Sequence, residues 1–284
     1  MVVVGRIGGA TDFLQFLKEL NVKGMFFVVK PDWTSTKIFT DAQTLDWLFS
    51  GLKGRIKLVD AYNPQRSKLG VEQESQELVA ANPRAKWQWF RDQEKWFLEF
   101  TGINKILEKH GVEYINITEE VWSMKTLRSD EVRGLVDNNY GILVAQEFYD
   151  FVPSRIYELR GATFISLCRS RRVGNHIFLS TRNPFGLVPD PDRDRKWSGR
   201  SDNRLSQSII DINKIYRSLF SPCYWINEVR ESGVFVGGRN SVEADAVTAK
   251  SMGVDPEGID YLKHAENVFG GYNRKILAKA ADLA

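Results

Sequence analysis

Eight basic side chains crowd residues 169–200: Arg169, Arg171, Arg172, Arg182, Arg193, Arg195, Lys196 and Arg200. Only three acids, Asp190, Asp192 and Asp194, stand among them. The segment carries +5 and the remainder of the chain −2, so the net charge of +3 is made here. A guanidinium grips a carboxylate or phosphate through two parallel hydrogen bonds, so the chemistry such a cluster suits is capture of an anion. The embedded Arg182-Asn183-Pro184-Phe185-Gly186 adds a turn whose bare backbone N–H groups serve the same end. His176 lies among these arginines. Imidazole exchanges a proton near neutral pH, which makes His176 the leading acid–base candidate. The competing reading is a solvated loop laced with surface ion pairs and holding an ordinary histidine.

Something must hold these groups in place. Residues 162–168 form an apolar run that reads as a buried strand leading into the basic segment. Similar short runs occupy 2–7, 24–30, 55–59, 112–117 and 223–227, with helix-period stretches between them. Strands alternating with helices predict an α/β fold, a mainly parallel sheet with helices on both faces. In such sheets ligands bind beyond the carboxyl ends of the strands. The residues that follow the strands are Lys30 and Asp32, then Asp60 with Asn63 and Arg66, then Glu119 and Glu120, then Arg169, then Glu228. The expected site therefore has His176, Lys30 and Glu228 moving protons. Arg169, Arg171, Arg182, Asn183, Gly186, Asp32 and Asp60 contact the substrate. Against this stands the fact that loop starts are generally polar.

Other stretches have readings of their own. Residues 62–86 are polar, carry Pro64, Gly70 and Pro83, and predict a long loop. The aromatic stretch from Trp87 to Phe100 is helix-periodic and favours a core-packing helix over an aromatic lid on the substrate. Thr11, Thr40 or Asp41, and Ser241 are candidate helix caps. Pro256 suits the first turn of the last substantial helix, which Gly270-Gly271 ends. Gly237-Gly238-Arg239 reads as a cradle for a phosphate or carboxylate. Asp211 faces either a site or solvent, and Asp245 one turn into its helix suits a structural role.

Four stretches carry a resemblance. VVKPDW (28–33), SLCRSRRVGNHIFLSTRNPFGLVPD (166–190), SIIDINKIY (208–216) and GVFVGGRNSVEADAVTAKSMGVDPEGIDYLKHAENVFGG (233–271) are similar to the pattern of domain of unknown function family number 362. The likeness is patchy over 28–159 and firmer over 159–271. Where that pattern has a lysine-containing stretch before the histidine, this chain has Arg169, Arg171 and Arg172. Where it has an asparagine, this chain has Asp32. The resemblance implies a fold rather than a reaction. Many family members carry iron–sulfur cysteine motifs.

Composition narrows the classes. The 284 residues, with 43% apolar and 26% charged, suit a globular domain, either one unit over 1–284 or two lobes at 1–150 and 151–284. The two cysteines, Cys168 and Cys223, cannot ligate a four-cysteine iron–sulfur cluster, and no disulfide framework is visible. The three histidines match no zinc spacing. A magnesium site of oxygen ligands drawn from Asp32, Asp60 or Glu228 stays open. No apolar run reaches membrane-spanning length and the start does not read as a secretory signal, so the expectation is a cytoplasmic protein without a membrane partner. The small net charge argues against nucleic acid as a partner. A homo-oligomer is compatible with everything read so far. The expected function is an enzyme acting on a small anionic metabolite with an apolar or aromatic body, by acid–base chemistry of the isomerase or lyase kind. The alternative is a nucleotide- or RNA-binding protein without catalysis.

Overall fold

The apolar runs become strands because each is short and rich in β-branched and aromatic residues, and the central ones, such as 163–168 and 224–229, are buried on both faces. The structure, a computed structural model, describes residues 1–68, 83–174, 176–191, 193, 196 and 202–280. In chain order the strands are β1 (Val2–Arg6), β2 (Phe26–Pro31), β3 (Arg55–Asp60), β4 (Glu113–Asn116), β5 (Thr163–Arg169), β6 (Arg171–Val173), β7 (His176–Phe178), β8 (Cys223–Val229) and β9 (Val234–Gly238). Seven form one sheet in the order β1-β9-β8-β5-β2-β3-β4, and β6 pairs with β7 in a separate hairpin. From β8 to β4 the neighbours are parallel, while β9 and β1 add antiparallel at one edge. β2 and β5 join the two halves of the chain, with Lys30 in register with Ser166.

Helices cover both faces. On one side α1 (Ala10–Glu19), α2 (Ala42–Gly51), α3 (Trp87–Phe100) and α4 (Ile103–His110) bury Phe13, Leu45, Phe97 and Ile103 against Val29, Leu58, Ile165 and Leu167. On the other, α6 (Ser129–Tyr140), α8 (Asp202–Leu219), α9 (Ser241–Ser251) and α10 (Asp260–Phe269) bury Val136, Ile209, Ala246 and Leu262 with Val28, Phe164 and Trp225. The short α5 (Ile117–Trp122), α7 (Ser154–Glu158) and α11 (Arg274–Ala280) complete the chain. The fold is α/β with a mostly parallel sheet, as the alternation of runs predicts.

The differences from sequence expectation have physical causes. β9 contains Gly237 and Gly238, so that pair is strand rather than an anion cradle. A Cβ on Gly237 would stand 2.8 Å from Phe16 and 2.9 Å from Leu20, so the glycine makes room for the α1 layer. Asp41 caps α2, its Oδ1 accepting from Thr44 N at 2.8 Å. Thr11 lies inside α1, which starts after Gly9. Asn240 caps α9, accepting from Val242 N and Glu243 N, and the buried Ser241 Oγ accepts instead from Arg217. Pro256 opens a separate 3₁₀ turn ahead of α10. Asp211 faces neither cavity nor solvent: it is buried, and Oδ2 accepts from Val144 N and Ala145 N, each at 2.8 Å. Of the predicted 62–86 loop, 69–82 lies outside the described residues, and short 3₁₀ turns flank it at Pro64–Arg66 and Pro83–Lys86.

Candidate functional site

Counted along the chain, the parallel strands β2, β3, β4, β5 and β8 lie in the order 3-2-1-4-5. The chain therefore reverses its direction of travel across the sheet between β2 and β5. Connections leave those two strands on opposite sides, so a crevice opens beyond their carboxyl ends. A cavity of about 390 Å³ occupies it. Eight of the ten residues expected at the site line this cavity: Lys30, Asp32, Asp60, Arg171, His176, Arg182, Asn183 and Gly186.

Lys30, at the end of β2, is only 2% exposed, and three acceptors surround its ammonium. Nζ donates to Pro31 O at 2.5 Å and to Asn183 Oδ1 at 3.2 Å, and pairs with Asp60 Oδ1 at 3.2 Å. Burial pushes the Lys30 pKa down, and Asp60 and Asp32 pull it partly back. Asp60 in turn binds Arg66 Nη1 at 3.0 Å, and Arg66 Nη2 lies 3.2 Å from Glu94 Oε2 on α3. Tyr114 donates to Glu94 Oε1 at 2.5 Å. The alternating chain Lys30–Asp60–Arg66–Glu94 is thus neutral as a set, which is how four buried charges are tolerated. Burial raises the Glu94 pKa, with Arg66 and Tyr114 opposing.

The β6–β7 hairpin forms a wall. Its turn includes Gly174 at φ +59°, a left-handed conformation that glycine adopts without strain; the adjoining Asn175 lies outside the described residues. Arg171 pairs with Asp32, donates to Arg169 O at 2.8 Å and to Thr34 Oγ1 at 2.7 Å. Phe178 stacks with two guanidinium groups, Arg171 Cζ at 4.1 Å and Arg182 Cζ at 3.7 Å from its ring centre. His176 is exposed at the rim.

After the hairpin the chain crosses the sheet's end through Ser180 and Thr181 into the 3₁₀ turn Asn183–Leu187. Buried side chains from three elements pin this crossing. Asp245 of α9 accepts from Ser180 Oγ at 2.5 Å, Ser180 N at 3.1 Å, Thr181 N at 2.9 Å and Asn227 Nδ2 at 2.8 Å. Asn213 of α8 donates to Thr181 O at 2.7 Å, and Ser166 of β5 donates to Ser180 O at 2.9 Å. Asn183 closes the set by donating to Lys30 O at 3.0 Å and Ser166 Oγ at 3.1 Å. Arg182, Asn183 and Gly186 are placed by this network rather than by the loop's own preferences.

Arg169 and Glu228 sit at the same sheet end but are not among the residues lining the cavity. They are register partners across β5 and β8. Side chains alternate along a strand. Arg169 therefore follows Ile165 and Leu167, and Glu228 follows Tyr224 and Ile226, onto the face that α1 and α2 cover. There burial pushes the Glu228 carboxyl up to about 7; Asp41 adds to the rise, and Arg230 and Arg169 oppose it. The oxygen-ligand set is split: Asp60 is held by Lys30 and Arg66, Asp32 by Arg171, and Glu228 does not line the cavity. Among the described residues no group of three or more His, Cys, Asp or Glu side chains is placed to hold a metal ion.

Thr34 and Phe178 line the cavity without having been singled out from the sequence, and Arg193, named there only as a member of the basic segment, lines it too. Arg193 is 4% exposed and donates to Tyr62 O at 2.7 Å. Arg195 and Arg200 of the basic run lie outside the described residues. The α3 aromatic residues do not line the cavity: Phe90 and Phe97 are buried, and Trp96 stacks on Phe100 with ring centres 4.9 Å apart. Among the described residues, the walls carry four cations, Lys30, Arg171, Arg182 and Arg193, and two carboxylates, Asp32 and Asp60. Among the described residues no helix is long and apolar enough to cross a membrane. Compared with family models, with curated proteins and with solved structures, the chain finds no match.

Proposed function

We propose that the protein is an enzyme that acts on a small anionic metabolite with an apolar or aromatic body, by acid–base chemistry of the isomerase or lyase kind. The observation that carries this reading is the gathering of Lys30, Arg171, Arg182, Arg193 and His176, among the described residues, around a cavity at the point where the sheet reverses its order. A partly buried cavity lined by several cations favours an anion, because its low-dielectric walls weaken solvent screening. Arg182 and Arg171, stacked on Phe178, hold the anionic end. His176 at the rim exchanges the proton with the reacting carbon or oxygen. Lys30 is the second proton carrier, its buried ammonium made easier to deprotonate by desolvation.

Kinship to domain of unknown function family number 362 is part of this reading. Two of the stretches that carry the resemblance supply Lys30, Asp32, Arg171, His176, Arg182, Asn183 and Gly186 to one cavity, and the other two supply Asn213 and Asp245, which pin the 180–187 crossing. Native mass spectrometry of the purified protein tests the function. A co-purifying carboxylate or phosphate metabolite, converted by the wild type and not by His176→Ala, is the expected result. Co-purifying nucleic acid, seen as excess absorbance at 260 nm, with no conversion of any bound metabolite, would favour the binding-protein alternative.

A further inference from the structure

Among the described residues Lys30 is the one primary amine in the cavity wall, and it stands near the carboxyl end of β2, between β5 and β3 in the sheet. Gly186 lines the same wall. A Cβ on that residue would stand 3.0 Å from Lys30 Nζ and 3.7 Å from Asp60 Oδ1. As a glycine it puts no side chain over the Lys30–Asp60 pair.

The pair is arranged so that the amine can give up a proton. Nζ lies 3.2 Å from Asp60 Oδ1. Passing one proton across that gap leaves the net charge of the buried set Lys30–Asp60–Arg66–Glu94 unchanged, so no net charge is created in the interior when the free amine forms. Burial is the largest influence on the Lys30 pKa and lowers it; the Arg66 guanidinium adds to that, and Asp60 and Asp32 oppose it. A desolvated lysine beside a second cation is the setting in which an amine becomes a nucleophile towards a carbonyl carbon.

We propose that Lys30 is a covalent catalytic group that forms an imine with a carbonyl substrate carrying an anionic group, an oxo carboxylate or an oxoalkyl phosphate. This rests on the anion reading of the cavity, in which Arg171 and Arg182 hold the anionic end. The ammonium gives one proton to Asp60, its nitrogen adds to the carbonyl carbon, and the carbonyl oxygen takes that proton from Asp60. A second N–H proton then moves to the new hydroxyl, the C–O bond breaks and water leaves. The sum is ammonium plus carbonyl giving protonated imine plus water, with nothing oxidised or reduced. The imine carries its positive charge where the ammonium carried it, so the buried set is as balanced in the adduct as before. A protonated imine draws in the electron pair of a neighbouring C–H or C–C bond, which is the bond an isomerase or lyase of this kind breaks.

Cyanoborohydride reduces a protonated imine to a stable secondary amine and so tests this directly. The purified protein is incubated with it in three arms, holding pyruvate, dihydroxyacetone phosphate or the neutral hydroxyacetone, and calorimetry without the reductant measures binding of each probe. The expected result is a single adduct, heavier than the protein by the mass of the probe less one oxygen atom, that peptide mapping places on Lys30. It forms on the order of tenfold faster with an anionic probe than with hydroxyacetone, because the arginines hold the carbonyl beside Nζ. The faster of the two anionic arms tells carboxylate from phosphate. Lys30→Arg keeps the charge in the network and should bind the anionic probes without forming the adduct; if that variant does not fold, mapping on the wild type decides alone. Adducts scattered over exposed lysines and absent from Lys30, with the anionic probes bound, would overturn the imine and leave the anion reading standing. The same adduct formed at the same rate in Lys30→Arg would also overturn it. Equal rates at Lys30 for hydroxyacetone and the anionic probes would overturn the anionic substrate class and the cavity reading on which it rests. If no probe binds and none is trapped, both fall.

Discussion

Gly186 and Lys30 are in contact across the cavity floor: a Cβ at Gly186 would stand 3.0 Å from Lys30 Nζ and 3.1 Å from Cε. The ammonium cannot simply swing aside, because Pro31 O, Asn183 Oδ1 and Asp60 already fix it. Gly186→Ala should therefore cost about 1–3 kcal/mol, the range for overpacking a filled interior. Urea denaturation measures it. A change under about 0.5 kcal/mol would mean that the Lys30 site yields easily and is not a fixed point of the cavity.

Asp245 should matter for binding although it does not line the cavity. Asp245→Asn keeps the shape but replaces one acceptor oxygen with a donor, facing Ser180 and Thr181 groups that already donate to it. An unsatisfied buried donor costs about 1–3 kcal/mol. The same change loosens the crossing that carries Arg182 and Asn183. We expect a lowered melting temperature together with weaker anion binding. Weaker stability with unchanged affinity would show that the crossing is held by the other bonds.

Glu228 predicts a pH-dependent stability. Its carboxyl titrates near 7 in the folded chain, against an ordinary value of 4.5. A raised folded pKa contributes stability that is fully present below the unfolded value and is lost as pH rises through the folded one. Wild type should thus lose stability between about pH 4.5 and 7 relative to Glu228→Gln, which cannot ionise. The variant's advantage should grow by about 1–3 kcal/mol from pH 5 to pH 8. Equal pH dependence of the two proteins would mean that Arg169 and Arg230 offset the burial.

The sheet was legible because its strands are apolar runs bounded by polar turns; strand ends pointed to Lys30, Asp32 and Asp60, and the basic segment to the other five of the eight expected residues in the cavity. That same continuity hid which face a strand-end side chain takes. A run buried on both faces has no period-2 signal, so Arg169 and Glu228 looked equivalent to Lys30, which follows Val28 onto the other face. Gly237-Gly238 misled because glycine in a strand under a packed helix looks like glycine in a loop. Glu94 could have been found: it sits four residues after Phe90 and three before Phe97, an acid on an apolar stripe, which requires a buried partner. That the partner is Arg66 follows only from the fold.

Arg182→Lys separates shape from charge. It keeps the cation but loses the planar fork and the stack on Phe178 at 3.7 Å. Affinity for a planar carboxylate should fall on the order of tenfold, about 1.4 kcal/mol, and Arg182→Ala should fall further. Wild-type affinity in Arg182→Lys by calorimetry would reduce the role of Arg182 to simple charge.

His176 carries the sharpest prediction, because its place in the structure separates chemistry from folding. The residue opens β7, is paired with Val173 across the hairpin, and borders the cavity while remaining exposed. Removing an exposed side chain changes stability by only about 0.5 kcal/mol in either direction. The arginines that hold the anion, Arg171 and Arg182, are anchored through Asp32, Thr34 and Phe178 rather than through His176. His176→Ala should then bind the co-purified ligand nearly as wild type does and melt at nearly the same temperature. Its turnover should fall on the order of 10²-fold or more, the scale for removing a positioned acid–base group. His176→Gln retains hydrogen bonding but cannot relay a proton, so it should fall alongside. Turnover within a few-fold of wild type in both variants, with circular dichroism unchanged, would leave His176 a rim residue and pass the proton transfer to Lys30.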